Sequence, residues 1–490
     1  MKHIDLNTTK TYCNPINLPD CPKGVDPPHV MDYTGEVVPD YRSISDPSVL
    51  YHNNKWYLYP SYGMAWVSED FVNWKHYRIN PYNMKYSPVV VPFKGRYLMT
   101  SHSYGLYESD SPLGDFNFLG NFILPNGEEF IPIDPALFVD DDGRLYLYGF
   151  FYTDAIRKFV IPTGIYGVEL DPENPRQMLS DPITQFTFNG DNVWERFGEH
   201  RQDTLSGWLE GPWMIKKNGR YYLIYATSGT EYSTYCMAAY YSDEGPLSGF
   251  KLQKNNPITE SRTGLIRGAG HGCVSEGPND TLWAFYTISL AYLHLYERRI
   301  GMDLIAINAD GELYAPHGIT TTPQFGPGVK SDPVSDNSAG VLPLTARQRA
   351  MCRATSHAPG HEGFFALDDS MLTFWQPSAD DKLPMLTVNL QAPYRAEAVR
   401  LLTREIGLDY ENGRLPGPIK YTVEGCINNE KDEWVMLLDR RENSEDKNCD
   451  YTTFTPVTCE SVRLTIHGKP EGIEIGVMDF TVFGLRDETV

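Results

Sequence analysis

The sequence predicts an all-β protein, a five-bladed β-propeller followed by a β-sandwich or jelly-roll domain, and three observations carry that prediction. First, one hairpin pattern recurs five times: a residue beside proline or glycine opens an apolar run, a Gly, Asn or Asp turn follows, and an aromatic run returns. The copies open at Asp46, Ser87, Asp134, Glu210 and His271. Second, the segments beyond the hairpins also rhyme, as in Trp66-Val-Ser-Glu-Asp-Phe, Tyr107-Glu-Ser-Asp-Ser-Pro and Tyr241-Ser-Asp-Glu-Gly-Pro. The repeat therefore covers whole four-stranded units, and radial repetition of such units builds a propeller. Third, the last third of the chain holds short alternating strands, among them Met385–Leu390, Ala398–Leu402, Ile419–Glu424 and Ser461–Ile466, the pattern of a sandwich.

Taken in order, residues 1–45 are rich in Pro, Asp and Asn and read as an irregular lead-in against the first blade. Residues 46–322 hold the five repeats. The interval from 134 to 210 exceeds the one from 46 to 87, so a loop is inserted there, including Asp191-Asn-Val-Trp-Glu-Arg-Phe-Gly-Glu-His200. Loops at one end of a rigid scaffold shape ligand pockets, which makes Trp194, Arg196 and His200 candidate rim residues and adds Trp66 as a further sugar-contact candidate. Residues 323–345 have linker composition, and 346–490 form the second domain.

If the first strand of every blade lines the axis, Asp46, Ser87, Asp134, Glu210 and His271 converge there, and three carboxyl groups share one hollow. A lone Asp-Pro is ordinarily a turn residue; three carboxylates at one phase of a repeat are not explained that way. Two carboxyls facing across a sugar can hydrolyse a glycosidic bond, one protonating the leaving oxygen and the other activating water. The longer Glu210 suits the acid, its pKa raised by neighbouring anions. The shorter Asp46 suits a base holding water.

Composition narrows the partners. A formal charge of -22 argues against nucleic acid, whose binding relies on Lys and Arg. No apolar run reaches the roughly 18 residues of a membrane span. The first ten residues lack the apolar core of a secretory leader, which predicts an intracellular protein unless a leader has been removed. The eight cysteines show no CxxC pairing, so a zinc or redox site is not expected; Cys13 with Cys21 is one open disulfide.

The motifs Asp46-Pro-Ser-Val, Asp134-Pro-Ala-Leu-Phe-Val, Leu209-Glu-Gly-Pro and Gly270-His-Gly-Cys-Val resemble the blade openings of glycoside hydrolase family 43. The resemblance spans residues 46 to about 322. It implies a five-bladed inverting hydrolase of arabinose, xylose or galactose linkages, with Asp46 as general base, Asp134 as pKa modulator and Glu210 as general acid. It implies no required cofactor, and it places His271 near an axial calcium ion or water; a buried hydrogen-bonded histidine is the alternative. Arg298 and Arg299 both resemble the last-blade arginine that contacts sugar or modulator, with Arg299 preferred. One departure is the distance from Asn14-Pro15 to Asp46, which leaves Asp26-Pro27 as a rival base. The stretch Phe365-Ala-Leu-Asp-Asp-Ser-Met-Leu-Thr-Phe-Trp375 resembles a discoidin-type (F5/8 type C) module, which implies a structural calcium near Asp368 and Asp369. The expected substrate is an oligo- or polysaccharide with a terminal furanose or pentose, most simply an α-L-arabinofuranoside. β-D-Xylosidase, exo-1,3-β-galactanase and galactofuranosidase are the rivals within the class, and a non-catalytic carbohydrate-binding propeller is the rival outside it.

Overall fold

The computed structural model describes residues 5–20, 40–81, 84–153, 163–290, 297–348 and 351–486. The chain is nearly all β, and its repeats begin with turns their sequences dictate. Asn53 and Asn54 (φ 51° and 59°) join Ser48–His52 to Lys55–Tyr59; Lys94 and Gly95 (47° and 79°) join Val89–Phe93 to Arg96–Thr100; Asn218 and Gly219 (53° and 80°) join Leu209–Lys217 to Arg220–Thr227. Two consecutive left-handed residues match the right-handed twist of the strands they connect, and Asn and Gly adopt that backbone at least cost.

The five opening strands contact one another in a closed ring. Ser48–His52 touches Val89–Phe93, followed by Ala136–Val139, Leu209–Lys217 and Gly270–Glu276, which returns to the first. The arrangement is propeller-like, but four regular four-stranded blades are found where five were expected. The repeat opening at Asp134 is enlarged into a seven-stranded sheet. Its strand Thr163–Asp171 pairs with both Asn174–Met178 and Ile183–Thr187, and the short pair Phe122–Ile123 and Glu129–Phe130 adds at the edge. The extra sequence between positions 134 and 210 thus becomes strand as well as loop.

The lead-in is held at both sides of the closure. Ile16 and Ile44 donate backbone hydrogen bonds to Ile300 and Arg298 of the last blade (3.1 Å each), and Asn14 clasps Met302 through its amide in both directions, 2.9 Å each way. Asp26 and Cys21 lie outside the described residues. The seven described cysteines are not bonded to one another.

The C-terminal region is one seven-stranded sheet whose strands run longer than the sequence suggested. Met385–Leu390 and Ala398–Leu402 are parts of one strand, Met385–Ile406, that is kinked by register shifts at Asn389/Tyr394 and Ala396/Ala398. Trp375 is wholly buried in this core, donating to Ser356 O at 2.9 Å, so it is no sugar platform. The linker-like stretch is also tied down: Gln324–Phe325 pairs with Thr11–Tyr12, and Leu342–Pro343 with Phe483–Gly484.

The sheet packs on the propeller through a shared core that joins Ile288 and Leu290 to Phe374, Leu402 and Met478. Buried ion pairs accompany it: Arg42 with Glu405, Arg404 with Glu297 at 2.9 Å, and Arg400 with Asp479 at 2.8 Å. Arg400 also donates to Asn14 O at 3.2 Å, linking the sheet to the lead-in. Removing one partner of such a pair strands a desolvated charge. Arg400→Met is therefore expected to cost about 3–5 kcal/mol, measured as a shift in the urea midpoint, with propeller and C-terminal sheet unfolding in one transition.

Candidate active site

The residues at the blade openings depart from strand geometry in a common way. Asp46, Ser87 and Asp134 all have left-handed backbone (φ 51°, 47° and 43°), a conformation that costs of order 1 kcal/mol for a residue with a side chain. It frees each side chain from the alternation of the strand that follows. In the fourth repeat the left-handed position falls one residue later, at Gly211 (φ 51°), where the pairing shifts between Glu210 and Trp213. Glycine is required there twice over, since an added Cβ would lie 2.6–2.7 Å from the ring of His271.

These residues meet at a cavity of about 390 Å³ lined by Asp46, Asp134, Glu210, His271 and Arg298, with aromatic walls from Tyr86, Phe150, Tyr152, Phe197 and Trp208. Asp46 is 4% exposed and accepts from Ser45 Oγ (2.9 Å), Ser61 Oγ (2.6 Å) and Arg298 Nη1 (3.2 Å). Its own amide donates to Thr287 Oγ1 at 2.8 Å, and that hydroxyl donates to His271 O at 2.9 Å. His271 Nδ1 sits 3.6 Å from Asp46 and 4.0 Å from Asp134, between the two carboxyls. Asp134 accepts from Ser87 Oγ at 3.0 Å and contacts His102 Nδ1 at 2.8 Å. Glu210 accepts from Trp208 Nε1 at 2.6 Å and from the Tyr235 hydroxyl.

The electrostatics separate two of these carboxyls. Burial pushes the Glu210 pKa up to about 7, reinforced by the Asp134 charge and opposed by His271, Tyr235 and Trp208. Burial also raises Asp134, but the His102 hydrogen bond, the charges of His271 and His102, and Ser87 outweigh it and hold Asp134 below the usual carboxylate range. His102 moves the other way: burial lowers it, while bonding to Asp134 carries it above an ordinary histidine. The result is one carboxyl suited to carry a proton near neutrality beside one suited to stay ionised.

Asp134, Glu210 and His271 bring possible ligand atoms within 4.8 Å of one another. Both Glu210 oxygens already accept protein donors, and a cation bound here would hold this carboxyl ionised rather than protonated. In the C-terminal sheet, Asp369 faces the Arg347 guanidinium at 3.2 Å and Asp368 accepts from Thr373 Oγ1 at 2.8 Å.

Several expected sugar contacts lie elsewhere. Trp66 is fully buried and donates to Pro19 O at 2.8 Å, so it is blade core. Trp194 turns onto the fourth blade and donates to Tyr225 Oη at 3.3 Å, and Arg196 donates to Gly190 O at 2.8 Å. The intervening Glu195 is buried and accepts from Tyr225 (2.6 Å), the hydroxyl that also receives Trp194, and from Asn192 (2.9 Å) and the Asn189 amide (2.8 Å). His200 is exposed and away from the cavity; the neighbouring Phe197 is the insertion residue that lines it. Arg299 is buried and donates to Arg42 O at 2.9 Å instead of to the cavity, so the arginine at the base is Arg298, one position earlier, as strand alternation requires.

Alternation could also have found Trp208, two residues before Glu210 on the same face. His102 and Tyr235 left no such signal, because they reach Asp134 and Glu210 from connections outside the opening strands. A second cleft of about 380 Å³ between the lead-in and the C-terminal sheet is lined by Lys10, Arg440 and Lys447 but by no Asp, Glu or His, so it holds no carboxyl pair of the kind glycoside hydrolysis uses.

The profile of glycosyl hydrolases family 43 matches residues 41–313, and the chain belongs to that family. It is 26% identical over 260 residues to the beta-D-galactofuranosidase xynD of Aspergillus niger, covering 45% of this chain and 68% of the relative. With a xylan 1,3-beta-xylosidase of a Vibrio species it shares 28% identity over 187 residues, 37% of this chain and 28% of that one. The crystal structure of a thermostable family-43 glycoside hydrolase superposes with a TM-score of 0.51 at 24% identity, covering 65% of this chain and 100% of that one; this supports the fold. The protein is a glycoside hydrolase of an inverting family.

Gly211→Ala is expected to displace the His271 ring from between the carboxyls and to lower kcat by about 100-fold, the scale of a 1 Å misplacement. Thermal unfolding should also weaken, by about 1 kcal/mol, the cost of a left-handed alanine, with the protein still folded at assay temperature so that the lost turnover is a site defect.

Proposed function

We propose that the enzyme is an exo-acting glycosidase that removes neutral terminal furanose or pentose units, with α-L-arabinofuranosides as the first substrate class. The observation that carries the mechanism is the pair Glu210 and Asp134, whose shared hollow raises one pKa to about 7 while holding the other low. Glu210 donates its proton to the leaving glycosidic oxygen as the bond to the anomeric carbon breaks. Asp46, held by two serine hydroxyls and Arg298, accepts a proton from the water that attacks the opposite face. The sugar leaves as a free hemiacetal with inverted configuration. Asp134 bonds no leaving group in this scheme. It is kept ionised by His102 and Ser87, and its charge tunes Glu210.

Support for exo action comes from the aromatic walls around the carboxyls, including Phe197 from the inserted loop. Support for a neutral sugar comes from the number of carboxyls lining the cavity, which disfavour a uronate. A second reading, β-D-galactofuranosidase, is favoured by the Aspergillus niger relative. Turnover of the 4-nitrophenyl α-L-arabinofuranoside, β-D-galactofuranoside and β-D-xyloside discriminates the readings, and no turnover of any of the three overturns the substrate class. The role proposed for the C-terminal sheet is support of the propeller; its discoidin likeness rests on sequence motifs alone.

Because the acid must be protonated, kcat/KM is expected to fall as pH rises through about 7. Glu210→Gln should remove that alkaline limb. It should slow natural glycosides by about 10²- to 10⁴-fold, with much less effect on aryl glycosides whose leaving groups need no proton. An unchanged pH profile in the variant would assign the acid to another group.

A further inference from the structure

A fourth carboxyl group lines the catalytic cavity and has no place in the two-carboxyl mechanism. Glu231 lies on the loop Gly229-Thr230-Glu231-Tyr232 that follows the strand Arg220–Thr227. Its carboxyl folds back over Gly229, whose left-handed backbone (φ 99°) leaves no room for a side chain: an added Cβ would stand 3.0 Å from Glu231 Oε2 and 2.7 Å from the Phe197 ring. The loop is fixed rather than loose. Ser289 Oγ donates to Thr230 O, Tyr232 N donates to Gly229 O at 3.2 Å, Arg298 Nη1 reaches Thr230 Oγ1 at 3.4 Å, and Phe197 packs edge-on against Tyr232 with centroids 5.1 Å apart.

Every other carboxyl of the cavity is occupied by protein donors. Asp46 has Ser45, Ser61 and Arg298; Asp134 has Ser87 and His102; Glu210 has Trp208 and Tyr235. Glu231 accepts only its own backbone N–H among the described residues, and burial raises its pKa. A carboxylate removed from much of its water and given no protein donor is costly unless a ligand supplies one. The donors a neutral sugar offers are hydroxyl groups, and a carboxylate accepts two of them at once. The shared loop also places this acceptor beside the arginine that holds Asp46, so one rigid segment couples sugar recognition to the base.

We propose that Glu231 is a substrate-recognition residue whose carboxylate accepts hydrogen bonds from hydroxyl groups of the terminal sugar cleaved by Asp46 and Glu210. This rests on the glycosidase reading above and adds a specificity determinant to it. A site built to bond a substrate hydroxyl discriminates strongly against the analogue lacking it, because its own polar group is then left unpaired.

The test compares wild type, Glu231→Gln and Glu231→Ala on a 4-nitrophenyl glycoside that the enzyme turns over and on its set of monodeoxy analogues. Expected is a fall in kcat/KM on the parent glycoside of about 10- to 100-fold, carried mainly by KM, with the pH profile unchanged. For one deoxy analogue, wild type should already be slow and the variants no slower. An equal loss on every analogue, or a loss on none, overturns the assignment; a loss accompanied by a lowered Tm in both variants assigns Glu231 to the loop's stability instead. If wild type turns over no furanoside or pentoside, the substrate reading fails on its own. Calorimetric titration of arabinose, galactose and xylose into Glu210→Gln, with and without Glu231→Gln, then decides the recognition role: weaker binding in the double variant supports it, and equal or absent binding in both overturns it.

Discussion

Carboxyl groups crowded into one hollow repel one another, and the catalytic half of the molecule is arranged around that repulsion. Asp46 and Asp134 are almost inaccessible to water, so the hydrogen bonds their oxygens need come from the fold. The donors are divided unequally. Asp134 has a histidine and a serine, Asp46 has two serines and an arginine, and Glu210 has a tyrosine and a tryptophan, neither of which carries charge. The uncharged pair cannot offset burial and the nearby anion, so the proton settles on Glu210. His271, seated against the bare backbone of Gly211, keeps the two aspartates apart.

Holding these groups in place is a task for the whole chain. The lead-in closes the last blade through Asn14 and Ile16, and Ile44, just before Asp46, is bonded to Arg298. The C-terminal sheet presses on the same region through Glu405 with Arg42 and Arg404 with Glu297, adjacent to Arg298. Buried ion pairs add little net stability, but they demand one geometry. The interface therefore acts as a buttress for the strand that carries the base's arginine.

The differences between sequence reading and structure have specific physical origins. The repeat grammar put its opening residues within two positions of the strand starts, because hairpin turns and their flanking apolar runs are local signals. It could not show that the third repeat would recruit extra strands into a seven-stranded sheet, since those pairings join segments distant in sequence. Trp194 was expected at the sugar because it lies on the inserted loop, and Trp66 was a further candidate contact. Their indole N–H groups instead found acceptors within the protein, at Pro19 and Tyr225, and a satisfied buried indole is core. The choice between Arg298 and Arg299 is a question of strand phase, which the pairing of Arg298 with Ser289 and Arg299 with Ile288 decides.

The sequence by itself determined the all-β class, the hairpin starts at Asp46, Ser87, Asp134, Glu210 and His271, and the family, because each is written in residues close together in the chain. Only the tertiary structure decided what those residues face: which carboxyl keeps a proton, which arginine reaches the base, and that His102, Tyr235 and Glu231 join them. Those outcomes depend on desolvation and on charges a few ångströms away in space but tens to hundreds of positions away in sequence, and no local pattern encodes such distances.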